Sequence, residues 1–351
     1  LQRERLEPLK GRQPLEGTMP AAPDGGATLV FIHGTFSNTA SGFGQLWLNH
    51  PHRVRTLFDH YGERVFALDH ATLGCSPIEN ALTLARHTPP HARLHLVTHS
   101  RGGLVAEVLA RASDLAALDE PAKALFRVDE LPDGAGAALS DEDRADAQAA
   151  LDRQKAALVE LIALMHTRKI RVERVVRVAC PARGTLLASK RLDAYFSILK
   201  WALDLAQVPV APAIVEFIAG VAQRRTQPQR IPGVAAMVPD SPLIRWLHAA
   251  ASPVPGDLRV IAGDLEGDSL GSWVKTLVSD GFYWTDHDLV VQTRSMYGGA
   301  QRGATDATFV LDRGAKVSHF NYFANDRSVQ AIVSGLTDAQ PPDFRTIGPL
   351  S

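Results

Sequence analysis

Residues 94–103 read LHLVTHSRGG, an apolar run that halts at a serine and is followed by one arginine and two glycines. A nearly continuous apolar run of this length suits a strand covered on both faces of a parallel sheet. Small residues just beyond such a strand let the chain bend sharply into a helix while the side chain at the apex points out of the sheet. Thr98-His99-Ser100-Arg101-Gly102 is a variant of the strand–turn–helix pattern G-x-S-x-G, whose outer positions pack inside the bend. Thr98 stands where the first glycine is expected, and Gly102 with Gly103 retain the second half.

Outward from this stretch, similar runs recur with helical material between them: ATLVFIH (27–33), RVFALDH (64–70), VERVVRVAC (172–180), DLRVIAG (257–263) and ATFVLD (307–312). Strand and helix alternating in this way predict a doubly wound, mostly parallel α/β sheet, with the ligand crevice beyond the carboxyl ends of the strands. Residues 1–26, charged at first and then rich in Pro and Gly, read as an N-terminal arm or linker, and residues 27–351 as one domain. Two helical inserts interrupt the rhythm. One, at about 112–170, carries a predicted helix with Ser140 as N-cap and acidic residues in its first turn. The other, at about 187–247, is more apolar, and Lys200, Asp204, Pro209, Pro212 and Glu216 break it up, so it reads as a buried or lid-like helical pair and not as a membrane span.

Composition narrows the function classes. The 351 residues are 45% hydrophobic and 21% charged, with a net charge of -1, so there is no electrostatic footprint for nucleic acid. The two cysteines, Cys75 and Cys180, form neither a disulfide framework nor a zinc pattern, which fits a reducing compartment and a cytoplasmic location. The histidines have no spacing that completes a metal site, so no metal and no cofactor are expected.

The chemistry follows from the serine. A hydroxyl is a weak nucleophile until a base takes its proton, and imidazole suits that task near neutral pH. The first strand runs into His33-Gly34-Thr35-Phe36, an HG-type loop of the kind that offers one backbone N–H to an oxyanion hole. The N–H of Arg101, the residue after the serine, is the second candidate donor. His319, in AKVSHFNYF after the last strand-like run, is the candidate base. Three aspartates compete as the acid that orients it: Asp264 at the end of DLRVIAGD, and Asp286 and Asp288 in TDHDLVV. Asp288 is favoured because the apolar run behind it would brace its loop against the core. His33 and His99 are expected to order the two loops that they enter.

The set FIHGTFSN, VTHSRGG, VACPARGT, DLVV and VSHFNYF, in this order, resembles the lipase-like branch of the α/β-hydrolase superfamily, and is similar to bacterial lipases and the GPI inositol-deacylase-like serine esterases. The resemblance covers roughly residues 27–325. It implies an α/β-hydrolase fold with Ser100 as nucleophile, His319 as base, Asp288 as acid, and Thr35 and Arg101 as oxyanion donors. A helical insert after the strand VERVVRVAC would cover the site, with Phe36, Phe196 and Trp201 as lid or pocket residues. Leu289 stands where a glycine frequently follows the acid.

The expected activity is that of a serine hydrolase cleaving carboxylic esters with a hydrophobic acyl group through an acyl-enzyme on Ser100, in peripheral contact with lipid. An acyltransferase or thioesterase would use the same three residues. From a different class, the chain could be a catalytically silent hydrolase-fold interaction module, and the charged arm suits a part of a larger multidomain protein.

Overall fold

The computed structural model describes residues 1–4, 6, 18–132, 135–137, 139–186, 188, 196, 216, 231–249, 252–265, 286–314 and 317–347. Among them a seven-stranded sheet runs in the order β2-β1-β3-β4-β5-β6-β7. β1 (Thr28–Ile32), β2 (Val65–Leu68), β3 (Arg93–His99), β4 (Arg171–Val178), β5 (Asp257–Asp264) and β6 (Ala307–Arg313) are parallel. The short β7 (Arg345–Thr346) closes the edge antiparallel to β6. The six parallel strands fall on the six sequence runs. The fold is that of an α/β hydrolase.

Chain order reverses between β1 and β3, because β2 lies on one side of β1 and β3 on the other. In an open parallel sheet this switch opens a crevice at the carboxyl ends of the strands. Ile32 pairs with Thr98, so the loops leaving β1 and β3 emerge side by side, at Gly34 and Ser100. β3 is buried from Leu94 to His99, as a central strand covered on both faces should be.

Two helical layers flank the sheet. One is made of α1 (Thr39–Asn49), α2 (Pro51–Tyr61) and α9 (Asp326–Thr337), the other of α3 (Pro77–Arg86), α4 (Gly102–Arg111) and α6 (Asp141–Arg168). Their starts are written locally. Asn38 with Ser41, and Ser76 with Glu79, form capping boxes on α1 and α3. Ser140 accepts the Asp143 N–H ahead of the acidic first turn of α6. The short helices α5 (Glu120–Ala124), α7 (Pro232–Ala235) and α8 (Pro242–His248) complete the described set. Most of the apolar insert lies outside the described residues. In the N-terminal stretch, Met19 is buried with its N–H on the His87 carbonyl, and the Gln2 carbonyl accepts from the Trp47 indole.

Beneath the crevice a charge cluster ties α4 to the sheet and to the loop before β6. Glu107, fully buried on α4, receives Arg177 of β4 at 2.7 Å, Arg302 at 3.3 Å and the Ala300 N–H at 2.9 Å. The Arg177 guanidinium also reaches the Met296 carbonyl at 2.8 Å. Removing the carboxylate would leave two guanidiniums buried without their counter-ion. Glu107→Ala is expected to destabilise the fold by about 3–5 kcal/mol, read from urea unfolding.

Three histidines add a pH dependence. Burial holds His70, His95 and His99 down to about 2, about 4 and about 3, whereas an unfolded chain binds these protons near pH ~6.5. The folded values are depressed, so the stability is fully present above the unfolded value and is lost as pH falls towards the folded ones. Each histidine contributes up to about 1.4 kcal/mol per pH unit across that window. The urea midpoint is expected to fall steadily from pH 7 to pH 5. A midpoint independent of pH over that interval would contradict the neutral burial of these rings.

Candidate active site

Ser100 sits at the apex between β3 and α4 with a backbone φ of 52°, in the left-handed region that a non-glycine residue occupies only when its surroundings hold it there. Its N–H donates to the Val178 carbonyl of β4 at 2.9 Å, and its carbonyl accepts the Gly103 N–H at 2.9 Å, the first closure of α4. The bend needs the glycine at 102, because a Cβ there would strike the Ile32 and His33 carbonyls at the end of β1. Gly34 matters in the same way from the opposite side: a Cβ would lie 2.8 Å from the Ser100 Cβ and 3.4 Å from its Oγ. The loop leaving β1 is therefore in contact with the serine. Thr98 is tolerated in place of glycine because it is still part of β3, paired with Ile32 and Arg177.

The Ser100 hydroxyl lies 2.8 Å from His319 Nε2, and His319 Nδ1 lies 2.8 Å from Asp288 Oδ2. All three side chains are buried, with Ser100 4% exposed and the other two fully enclosed. With Nδ1–H donating to the carboxylate, Nε2 presents its lone pair to the serine. Of the three aspartates considered, the structure brings Asp288 to His319. Asp264 and the exposed Asp286 face Arg313 instead, at 3.4 and 3.7 Å.

Asp288 is held by its own loop. Asp288 Oδ1 accepts the Val290 N–H at 3.1 Å and the Val291 N–H at 2.8 Å, and the Val290 carbonyl accepts from the Thr185 hydroxyl at 3.2 Å. Burial pushes the carboxyl up, but His319 and these two amides outweigh it and hold Asp288 below the ordinary range. Leu289 has φ 85° and is buried. A glycine adopts that conformation freely, so the leucine keeps the turn at some strain while its side chain fills core.

The loop that carries His319 is tied on every side. The His319 N–H donates to the Asp288 carbonyl at 3.0 Å. His99 Nε2–H donates to the His319 carbonyl at 2.7 Å, and His50 Nε2–H, at the end of α1, to the Ala324 carbonyl at 3.0 Å. Tyr322 donates to Asp288 Oδ2 at 3.0 Å. Phe323 wedges edge-on against Phe43 of α1, 4.8 Å between ring centres. Of these partners Asp288 and His99 are singled out by the sequence. His50 and Tyr322 leave no sequence signal, although Tyr322 stands three residues from His319 in a turn, where two side chains can converge.

On the other side of the serine, His33 Nδ1–H donates to the Gly34 carbonyl at 3.0 Å, and its Nε2 accepts the His70 N–H at 3.2 Å. The two rings stack at 4.1 Å. Burial depresses both imidazoles, so neither carries charge beside the site near neutral pH. Thr35 is 2% exposed. The guanidinium of Arg101 points away into the core, donating to the Gly233 carbonyl at 3.1 Å, Asn80 Oδ1 at 2.9 Å and the Cys75 carbonyl at 2.5 Å. That anchor fixes the residue after the serine against α3 and α7. Phe36, at φ 56°, donates its N–H to Thr72 Oγ1 at 3.3 Å and meets Phe196 of the apolar insert at 5.1 Å. Trp201 lies outside the described residues.

Among the described residues there is no group of three or more His, Cys, Asp or Glu side chains placed to hold a metal ion, and no helix long and apolar enough to cross a membrane.

Known structures share this architecture. EstA from Clostridium botulinum is 11% identical, with 94% of this chain and 92% of that chain covered at a TM-score of 0.50. Lipase 1 from Pelosinus fermentans is 12% identical over 90% and 99% of the two chains, also at 0.50. The mature form of the Bacillus licheniformis lipase BlEst2 is 15% identical over 93% and 96%, at 0.42. At such identities the likeness of the first two is one of fold alone. No curated protein sequence matches the chain significantly. A family model does, over residues 5–151 and 154–337, and the chain belongs to the family that it describes, Domain of unknown function (DUF7379).

Proposed function

We propose that this protein is a serine hydrolase that cleaves carboxylic esters through an acyl-enzyme on Ser100. The observation that carries the reading is the unbroken hydrogen-bonded line from Ser100 Oγ through the His319 ring to Asp288, 2.8 Å at each junction. A serine, an imidazole and a carboxylate from three separate loops, all buried and in this order, have the geometry of general-base activation of a hydroxyl.

The reaction follows from that line. The Ser100 hydroxyl attacks the ester carbonyl while His319 Nε2 takes its proton. Asp288 holds the ring in the tautomer that accepts at Nε2 and steadies the imidazolium that forms. The negative oxygen of the tetrahedral intermediate would be met by the N–H groups of Thr35 and Arg101, on the two loops that touch at Gly34 and Ser100. His319 then returns the proton to the leaving alcohol, and water releases the acyl group by the same route. Phe36, Phe196 and the buried Met237 supply apolar surface near Thr35, which favours an acyl group of hydrocarbon character.

A fluorophosphonate probe is expected to label the protein at Ser100 and to leave the Ser100→Ala variant unlabelled. A folded wild-type protein that stays unlabelled across pH 7–9 would remove the enzyme reading and leave a silent module of the same fold. In a p-nitrophenyl ester series, kcat/KM is expected to rise with acyl length. A series that falls from acetate to octanoate would show that the acyl site is not apolar.

A further inference from the structure

Asp288 receives more than the proposed reaction asks of it. Orienting His319 needs one carboxylate oxygen, and Oδ1 is already held by the Val290 and Val291 amides. Yet Oδ2, the oxygen that faces the imidazole, takes a second donor, the Tyr322 hydroxyl at 3.0 Å. The placement is built into the sheet. Tyr322 is 1% exposed, and its hydroxyl rests on Gly263 of β5 so closely that any Cβ at that position would collide with it. Burial, and then the neighbouring carboxylate, raise the phenol well above its ordinary value, so it keeps its proton and acts towards Asp288 only as a donor.

A carboxylate oxygen shared between two donors binds each less strongly than it would bind one alone. The Tyr322 hydroxyl therefore competes with His319 Nδ1–H for the same lone pairs. We propose that Tyr322 is a positioning residue of this site, and that its hydroxyl sets how strongly Asp288 draws on the His319 Nδ1 proton and hence how basic Nε2 is towards Ser100. The last clause rests on the serine-hydrolase reading, whereas the control of the histidine–aspartate bond does not.

The other titratable groups around the pair leave this control to Tyr322. From β3, the His99 ring lies 5.0 Å from the His319 ring and is held by burial down to about 3, with His33 behind it also depressed by burial. His287, beside the acid, is lowered by burial and accepts the Leu289 N–H. From the turn at Thr293–Tyr297, Tyr297 is pushed up to about 12. From β6, Asp312 is engaged by Ser328 Oγ at 2.6 Å and lies 3.9 Å from Arg327.

The test uses the full chain with Tyr322→Phe, and separately with 3-fluorotyrosine at position 322, which keeps the ring's shape and makes the hydroxyl a stronger donor. Two readouts are taken: the acid limb of kcat/KM on a p-nitrophenyl ester, and the NMR resonance of the His319 Nδ1 proton without substrate. For Tyr322→Phe the limb is expected to move to higher pH by about half to one unit, with KM unchanged, and the resonance to move downfield. For the fluorotyrosine protein both shifts reverse in sign. A limb and a resonance unchanged in both proteins, with only thermal stability altered, would overturn the proposal while leaving the hydrolase reading intact. A wild-type protein inert to esters and to fluorophosphonate, whose resonance still moves in opposite directions in the two variants, would sink the hydrolase reading and keep the control of the pair. Should Tyr322→Phe fail to fold, the fluorotyrosine protein decides alone.

Discussion

The site depends on one backbone constraint: Ser100 must turn out of β3 with a positive φ while its neighbours on both sides close in. A non-glycine residue in that region costs on the order of 1–3 kcal/mol, and persists where the surroundings over-determine it. Here they do so through three independent contacts. The Ser100 N–H is taken by β4, its carbonyl starts α4, and the absence of side chains at 34 and 102 lets the loop from β1 lie directly against the bend. No one of these is catalytic. Together they set the direction of the hydroxyl before any base is considered, and the strand order, which puts β1 and β4 on either side of β3, is what makes all three possible at once.

Polar burial is the second constraint. Asp288, His319, His99 and Tyr322 are buried and joined in series by hydrogen bonds, in surroundings where an unpaired carboxylate or phenol would be costly. The carboxylate is matched donor for donor, two amides on one oxygen and a ring N–H with a phenol on the other. The matching is incomplete next to the serine. Thr98 Oγ1 and His99 Nδ1 are buried and have no hydrogen-bond partner among the described residues. For His99 the bare nitrogen follows from the tautomer that its other nitrogen must adopt to donate to the His319 carbonyl. One ring nitrogen of His99 fixes the backbone of His319, and the other has no partner among the described residues.

What could be read along the chain, and what could not, divides by distance in sequence. The six parallel strands, the Ser140 cap of α6 and the bend at Ser100 are written in adjacent residues, and the structure places them within one or two residues of the apolar runs. β7 has no such signature, being two exposed residues that pair only because β6 offers an edge. Asp288 could be singled out among three aspartates because DLVV carries its own bracing, although the glycine expected after it is missing. The contacts of Tyr322 with Asp288, of His50 with Ala324 and of the Arg101 guanidinium with Gly233 span from 34 to 274 residues, and no local pattern announces them.

These long-range ties explain why a histidine on a loop can hold a fixed geometry. The loop from 317 to 325 is built of short turns, its backbone carbonyls are held by β3 at one end and by α1 at the other, and two of its polar side chains, those of His319 and Tyr322, grip a single aspartate. α9, which follows directly, is itself clamped at its C-terminus by Arg174 of β4 and Arg259 of β5, on the Leu336 and Asp338 carbonyls. Charge at that end also suits the helix dipole. Strand, helix and the loop of Asp288 thus each fix a different degree of freedom of one imidazole. The rigidity comes from the sheet, and the loop only carries it to the serine.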